Sequence, residues 1–233
     1  FLHHARRIMD NIERLQAELS EYGEGVRGHV RIHSNTSAII AFLPQDLSAF
    51  SRLYPEIKID LQERVSSEII AAVRDGLTDI GIFAGHVAAP DLQQLSYRQD
   101  RLVLMTPIDH PLAGRESIAF NEALAFDFIG LQQDASLQSL LNEQANLAGK
   151  ALRMRIQVRS FDAICRMIHH GMGVGVLPEQ TIYRDLGDLQ LKSIPLSDPW
   201  AQRELVIGMR RYASLHVTAR HLVDHLTLKE NEQ

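Results

Sequence analysis

Hydrophobic residues in the first 22 positions recur at alternating intervals of four and three. The series is Phe1, Ala5, Ile8, Ile12, Leu15, Leu19 and Tyr22. Charged residues fill most of the positions between them, so the heptad spacing predicts a helix with one apolar seam. Gly23 and Gly25 then separate this helix from the rest of the chain. We predict a linker helix over residues 1–23 that dimerises through Ala5, Ile8, Ile12, Leu15 and Leu19. Packing against its own domain is the alternative.

From residue 28 onward, the pattern changes to an alternation of strands and helices. Strands are predicted over 29–33, 57–61 and 79–84, and helices over 37–53 and 66–75. The first two strands alternate polar and apolar residues, whereas the third is a nearly continuous apolar run typical of a buried parallel strand. Ser66 and Ser67 are predicted to cap the second helix, and Gly76 to end it. Together these elements predict a βαβαβ half-domain.

A second α/β series follows this half-domain. Strands are predicted over 92–97, 102–106, 126–131, 152–158, 174–177 and 204–209, and helices over 136–147, 161–170 and 214–227. Each half alone would bury too little surface for a stable domain. The pattern therefore predicts an α/β body of two lobes with a cleft between them.

Charge and composition narrow the classes of function. The chain has 24 Lys plus Arg against 29 Asp plus Glu, for a net charge of −5, which argues against DNA binding through this segment. The single cysteine, Cys165, allows neither an intramolecular disulfide nor a cysteine-rich metal site, and suits the cytoplasm. It lies among apolar residues, so a buried, inert thiol is expected. No apolar stretch approaches the ~18 residues of a membrane span. Position 1 is not Met, so we expect a piece of a longer protein.

Several sequence motifs with chemical potential fail on spacing or context. Gly171, Gly173 and Gly175 resemble a dinucleotide-binding loop, but the last glycine of that motif would fall at position 176, which is Val. They also lie between a helix and a strand, the reverse of the required order. His221 and His225 are four residues apart, yet no Cys or suitably placed Glu supports a metal site. With no nucleophile elbow and no carboxylate pair, we predict no enzyme activity, no metal and no cofactor.

Candidate ligand contacts follow the predicted strands at their carboxyl ends, where open α/β sheets bind ligands. They are Ser34, Asn35, Thr36, Ser37, Phe83, His86, Gln132, Ser160 and Phe161. Most of them lie in four segments, at 34–37, 84–86, 132–136 and 160–161. Three of these segments lead into helix N-termini, whose unpaired N–H groups suit a carboxylate or phosphate. Ordinary N-capping is the alternative for each segment alone. Their shared position predicts a small, anionic ligand in the cleft.

Eight short segments occur in the order found in LysR-type transcriptional regulators, which the chain resembles over essentially its whole length. They are HARRI at 4–8, GHVRI at 28–32, LP at 43–44, FSRLYP at 50–55, VRDG at 73–76, DIGI at 79–82, DHPLA at 109–113 and GMGVGVLP at 171–178. The resemblance implies two Rossmann-like lobes of the periplasmic-binding-protein type, with effector contacts around Ser34–Ser37 and Ser160. It implies that two crossover strands join the lobes. The expected bounds are 28–106 plus 204–233 for lobe I, 107–203 for lobe II, and about 102–106 and 204–209 for the crossover strands.

The same resemblance implies a mechanism. An effector would enter the cleft, change the angle between the lobes and so act on a winged helix-turn-helix domain that is absent from this chain. That domain would bind promoter DNA. The expected protein is a cytoplasmic homodimer, or a tetramer of two dimers, with no membrane contact. The rival is a solute-binding receptor of a transport system, which shares the bilobed fold but would be exported and leaves the heptad helix without a purpose.

Overall fold

The computed structural model describes residues 28–182 and 189–228. The predicted linker helix at 1–23, with its seam residues, therefore lies outside the described residues. The chain divides into two compact units. Unit 1 comprises Phe1–Arg98 and Glu204–Gln233, and unit 2 comprises Gln99–Arg203. The first change of unit falls inside a strand at Gln99, whereas the sequence prediction puts the lobe boundary after residue 106.

Unit 1 is a mixed sheet covered by helices. Its strands are β1 (Gly28–Ser34), β2 (Ile57–Glu63), β3 (Ile80–Ala84), the first part of β4 (Gln93–Pro107) and most of β9 (Gln202–Met209). Its helices are α1 (Thr36–Ala41), α2 (Leu43–Leu53), α3 (Ser66–Asp75) and α7 (Val217–Leu228). The strand order is β2-β1-β3-β9-β4. Strand β1 is parallel to both β2 and β3, and β9 is antiparallel to β3.

The two faces of the unit 1 sheet pack against different helices. Because side chains alternate along a strand, Val30 and Ile32 of β1 point to one face, where they join a buried cluster with Phe50 of α2 and Leu222 of α7. Helix α3 covers β3 on the opposite face. A Cβ at Gly81 of β3 would overlap the side chains of α3, so this glycine permits the close approach of helix and strand.

Unit 2 has its own sheet pairings and its own core. Its elements are the second part of β4, α4 (Phe120–Ala123), β5 (Phe128–Leu131), α5 (Ser136–Leu147), β6 (Met154–Val158), α6 (Phe161–His169), β7 (Gly175–Pro178) and β8 (Leu191–Pro195). Strands β7 and β8 are antiparallel to β4, and β5 is parallel to β6. Cys165 is buried in this core, and burial raises the pKa of its thiol to about 11. The thiol therefore stays protonated near neutral pH, as the sequence predicts for an inert cysteine.

The single helix predicted over 37–53 is wrong, because the structure has two helices that meet at Phe42. Pro44 explains the break. Proline has no N–H to donate and its ring clashes with the carbonyl four residues earlier, so it is tolerated only in the first turn of a helix. Pro44 accordingly lies in the first turn of α2.

The two strands predicted over 92–97 and 102–106 form one 15-residue strand, β4. The polar residues at 98–101 lie within this strand. Asp100 is nonetheless buried, with its side chain 1% exposed, and pairs with Arg203 of β9, which is 3% exposed. The polar residue is satisfied across the strands, so the strand continues.

Smaller differences concern a cap and two unpredicted elements. Helix α3 begins at Ser66, and its N-cap residue Val65 makes no side-chain capping bond, so the predicted serine cap is wrong. Gly76 ends α3 in the left-handed conformation, as predicted, with φ of 74°. Helix α4 and strand β8 were not predicted. Within the described part of the chain, no helix combines the length and apolarity that a bilayer span requires.

Candidate functional site

Three parallel strands of unit 1 end at one edge of its sheet. Because β1, β2 and β3 are parallel, the residues that follow them come together. The backbone N–H of Asn35 donates to the carbonyl of Ile82 at 3.0 Å, and that of Arg64 donates to the carbonyl of Ser34 at 3.0 Å. We call the residues at 34–37 and 63–64 the strand-end cluster. It brings together four residues predicted as ligand contacts, at 34–37, and two that were not.

Asn35 is the N-cap of α1. Its side-chain oxygen accepts a hydrogen bond from the backbone N–H of Ala38 at 3.0 Å. Ser34 is fully buried, and its hydroxyl lies 3.4 Å from the carbonyl of Asn35, while Ser37 is 6% exposed. The capping alternative thus holds for Asn35, and helix α1, with six residues, is too short for a strong terminal dipole. Of the four predicted contacts at 34–37, Thr36 is the most accessible.

The hydroxyl of Thr36 donates to the carboxylate of Glu63 at 2.5 Å. The parallel register places Glu63 beside Ser34, at the end of β2. An anionic oxygen that accepts from Thr36 would have to replace Glu63, whereas a ligand hydroxyl could donate to Glu63. The exposed guanidinium of Arg64 follows directly, and it donates to the side chain of Gln62 at 3.1 Å. The strand-end cluster therefore offers both a donor and an acceptor next to a cation.

Phe83 and His86 lie in different environments. Phe83 is fully buried in a cluster with Ile69 and Val73 of α3, so its side chain belongs to the core of unit 1. His86 is exposed, two residues after the end of β3. The backbone N–H of Gly85 donates to the carbonyl of Glu204 at 2.8 Å, which holds this turn against β9. Of these two candidates, His86 alone lies at the surface.

Unit 2 has a comparable pair of parallel strand ends. Strand β5 leads into Gln132 and β6 leads into Arg159. The Nε of Arg159 donates to the side-chain oxygen of Gln132 at 2.9 Å, which joins the two ends. Arg159 is exposed, and its terminal nitrogens make no hydrogen bond or ion pair that the described residues reveal. The terminal nitrogens of this guanidinium can thus donate hydrogen bonds to an anionic group, while Nε keeps its bond to Gln132.

Ser160 and Phe161 follow Arg159 and begin helix α6. Ser160 is the N-cap, and its hydroxyl oxygen accepts from the backbone N–H of Ala163 at 3.2 Å. Phe161 is 4% exposed and packs in the core of unit 2. Ser160 is exposed, so it stays near the surface beside Arg159.

The histidines and glycines that failed as motifs have structural roles. The ring of His221 stacks on Tyr54 with centroids 4.9 Å apart, and His225 lies 3.2 Å from the carbonyl of Asp46, so both pack α7 against α2. Over residues 28–182 and 189–228, no group of three His, Cys, Asp or Glu could hold a metal. Gly171, with φ of 71°, turns the chain after α6, and a Cβ at Gly173 would overlap the backbone of Asp127.

Sequence reasoning missed Glu63, Arg64 and Arg159. The strand-end rule that selected Ser34 and Gln132 also selects these three, since each ends or follows a parallel strand. These three are charged residues that do not cap a helix, whereas the predicted contacts at 34–37 and 160 are residue types typical of helix N-caps. Only the tertiary structure, however, connects Thr36 with Glu63 and Gln132 with Arg159.

Comparison with known proteins gives one family. The family described as LysR substrate binding domain matches residues 23–229. The "HTH-type transcriptional regulator CysL" of Bacillus subtilis is 22% identical over 201 residues, which are 86% of this chain and 67% of that protein. Among the solved structures with a similar fold are two effector-binding domains. The effector-binding domain of QuiR in complex with shikimate has a TM-score of 0.78 at 15% identity, with 89% of this chain and 99% of that chain covered. The BenM effector-binding domain with its effector benzoate has a TM-score of 0.75 at 19% identity, with 88% and 92% covered.

Proposed function

The chain belongs to the LysR substrate-binding domain family, and from this premise we propose that it senses a small anionic metabolite for a transcriptional regulator. The family match over residues 23–229 carries the conclusion that this is an effector-binding domain. A LysR regulator domain is not an enzyme. Promoter DNA would be bound by a part of the regulator outside these 233 residues, in keeping with the net charge of −5.

We assign the ligand contacts to the strand ends of both units. In unit 1 they are Thr36, Glu63 and Arg64, and in unit 2 they are Gln132, Arg159 and Ser160. Benzoate and shikimate, the ligands of BenM and QuiR, both carry a carboxylate. A carboxylate suits the exposed guanidinium of Arg159, because two parallel N–H donors match its two oxygens. The acceptor Glu63 suits a ligand that also carries a hydroxyl.

The effector controls the regulator by binding one of its conformations more tightly than another, since a ligand shifts an equilibrium only through such a difference. The two units are proposed to correspond to the two lobes of a periplasmic-binding-protein-like fold. Strands β4 and β9 are the segments that pass from one unit to the other. The location of the effector between the lobes stays a prediction from the sequence.

The effector proposal predicts a loss of affinity on changing Arg159. Shikimate, benzoate and any metabolite that native mass spectrometry finds co-purified are tested by calorimetry. For the ligand that binds, Arg159→Gln should weaken binding by about ten- to a hundredfold, because a hydrogen bond to a charged group contributes about 1.5–3 kcal/mol.

Arg166→Gln is the matched control, because Arg166 is an exposed arginine of the same unit that pairs with Asp162 on α6 at 2.8 Å. It should change the affinity less than about twofold. A carboxylate effector that binds the Arg159→Gln protein as tightly as the parent would show that Arg159 is not its partner.

The dimerisation prediction concerns residues outside the described part of the chain. Replacing Ile12 and Leu15 with Asp would place two charges in the predicted seam, and a heptad seam tolerates buried charge poorly. Sedimentation should show a smaller species than the parent protein. Arg14→Asp is the control, since it alters the net charge by the same amount at a position outside the seam. Equal association of the Ile12/Leu15 variant and the parent would contradict a dimer held by this helix.

A further inference from the structure

A surface hollow of about 520 Å³ in unit 1 is lined by Arg74, Asp91, Arg210, Arg211 and Ser214. We call it the arginine hollow, and we propose that it binds a small oxyanion, a phosphate or carboxylate group, at a site separate from the strand-end cluster. Three arginines and one aspartate are among the described residues that line it, and the carboxylate of Asp75 lies beside Arg74. This excess of positive charge stands out in a chain whose net charge is −5.

The positions of the arginines follow from the ends of two elements. Arg74 lies in the last turn of α3, which ends at Gly76 with φ of 74°. The guanidinium of Arg210, one residue after β9, lies over Gly76, because a Cβ there would be 3.3 Å from its Nη1. A side chain at position 76 would thus crowd Arg210 as well as strain the backbone. The absence of a side chain at Gly76 therefore allows Arg210 to lie against the end of α3.

Arg211 is held by the turn that follows β9. Its carbonyl accepts hydrogen bonds from the hydroxyl of Ser214 at 2.9 Å and from the N–H of Ser214 at 3.1 Å. This closes a short 3-10 helix, Tyr212–Ser214. The backbone that carries Arg210 and Arg211 is therefore defined on both sides, by β9 before it and by this turn after it.

The electrostatics of the hollow favour an anion. Like charges close together repel one another, and an oxyanion among them offsets that repulsion. Guanidinium groups also present planar pairs of donors that match phosphate and carboxylate oxygens. Arg74 has a competing partner, since its Nε lies 3.5 Å from Asp75. Both of those side chains are exposed, so that pair contributes little and yields readily to a ligand.

The hollow and the strand-end cluster lie at different ends of the unit 1 strands. Strand β9 is antiparallel to β3, with Gly208 opposite Gly81, so the end of β9 lies beside the start of β3. Asn35 and Arg64 follow the ends of β1 and β2, which run parallel to one another. The registers place Arg210 level with position 79 of the neighbouring chain segment and Asn35 level with position 83, so at about 3.3 Å per residue the two edges are roughly 13 Å apart along β3. One small ligand cannot occupy both.

The test is an NMR titration of the whole chain with inorganic phosphate at constant ionic strength. The backbone amides and the Nε–H signals of Arg210 and Arg211 should shift saturably. Arg210→Gln and Arg211→Gln should each weaken phosphate binding about tenfold. Arg52→Gln, an exposed arginine of α2 whose Nε donates to the carbonyl of Ser48, should change it less than about twofold.

Three results would overturn the proposal: no saturable shift at Arg210 and Arg211, equal weakening by Arg52→Gln, or shifts confined to Asn35 and Ala38. The last would place phosphate at the strand-end cluster instead. Because Arg52, Arg210 and Arg211 are exposed, an unchanged melting temperature in each variant shows that the fold is intact. Repeating the titration with acetate compares the two oxyanion classes at the same site.

Discussion

Replacing Arg203 with Met should destabilise the protein by about 3–5 kcal/mol, because it leaves the carboxylate of Asp100 buried without its partner. The side chains of Arg203 and Asp100 are 3% and 1% exposed, and Nη2 of Arg203 bonds to Oδ2 of Asp100. Oδ1 of Asp100 and Nε of Arg203 have no partner among the described residues. Each of the two charges thus needs the other in order to be buried, although one atom of each side chain lacks a hydrogen-bond partner. Urea unfolding measures the loss.

The dependence on pH separates this explanation from a simple loss of packing. Burial raises the pKa of Asp100, and the charge of Arg203 opposes that rise. Without Arg203 the pKa rises further, so the carboxyl of the folded variant takes up a proton more readily than in the unfolded chain. Because the unfavourable charged form disappears below the raised pKa, the variant should recover stability as the pH falls from 8 towards 5. A loss that is the same at every pH would contradict this account.

The double variant Asp100→Leu/Arg203→Met supplies the control. A buried ion pair costs so much desolvation that apolar replacements of similar volume are often neutral or stabilising. We expect the double variant to regain most of the stability lost in Arg203→Met. If the double variant were as unstable as the single one, the loss in Arg203→Met would not come from the unpaired charge of Asp100.

Replacing Asp46 with Ala should cost a similar amount, about 3–5 kcal/mol, for a related reason in unit 1. Asp46 is 4% exposed in the first turn of α2. Its Oδ2 accepts from the hydroxyl of Tyr97 at 2.8 Å and from Arg98 at 2.9 Å. Burial raises the pKa of Tyr97, which keeps this hydroxyl protonated as a donor. Alanine would leave both donors without their acceptor.

The same network fastens the last helix. Nη1 of Arg98 donates to the carbonyl of Leu226 in α7 at 3.2 Å, and its guanidinium lies 4.7 Å from the centre of the Tyr97 ring. Loss of Asp46 should therefore also loosen α7, which hydrogen exchange of its amides would detect. Asp75→Ala is the control, since Asp75 pairs with Arg74 at the surface, and should cost less than about 1 kcal/mol. Equal losses in the two variants would contradict a special role for Asp46.

Hydrophobic periodicity was enough to predict most elements because it records which side of each element is buried. Strand β3 was predicted from a continuous apolar run, and all five of its residues are buried. Helix α5 matches its predicted range of 136–147. The same reasoning failed at Phe42, where apolar residues continue across the break, and at Asp100, where a polar residue is buried. In both cases the deciding interaction was not hydrophobic.

The residues of the candidate site were likewise predicted only in part. The rule that ligands bind beyond the carboxyl ends of parallel strands selected Asn35, Thr36, Gln132 and Ser160 from the sequence alone. It also selected Phe83 and Phe161, whose side chains turn into the cores of their units. Position along a strand is a local property, whereas the direction in which a side chain points at a strand end depends on the helix packed above it.

What the sequence determined by itself was most of the strands and helices, the helix-capping chemistry of residues 34–37, and the end of α3 at Gly76. Each depends on residues within a few positions along the chain. Only the tertiary structure decided that Thr36 donates to Glu63, that Arg159 joins Gln132, and that Arg74 shares a hollow with Arg210. These partners are 27, 27 and 136 positions apart, and residues that distant meet only because the sheet brings different elements to one edge.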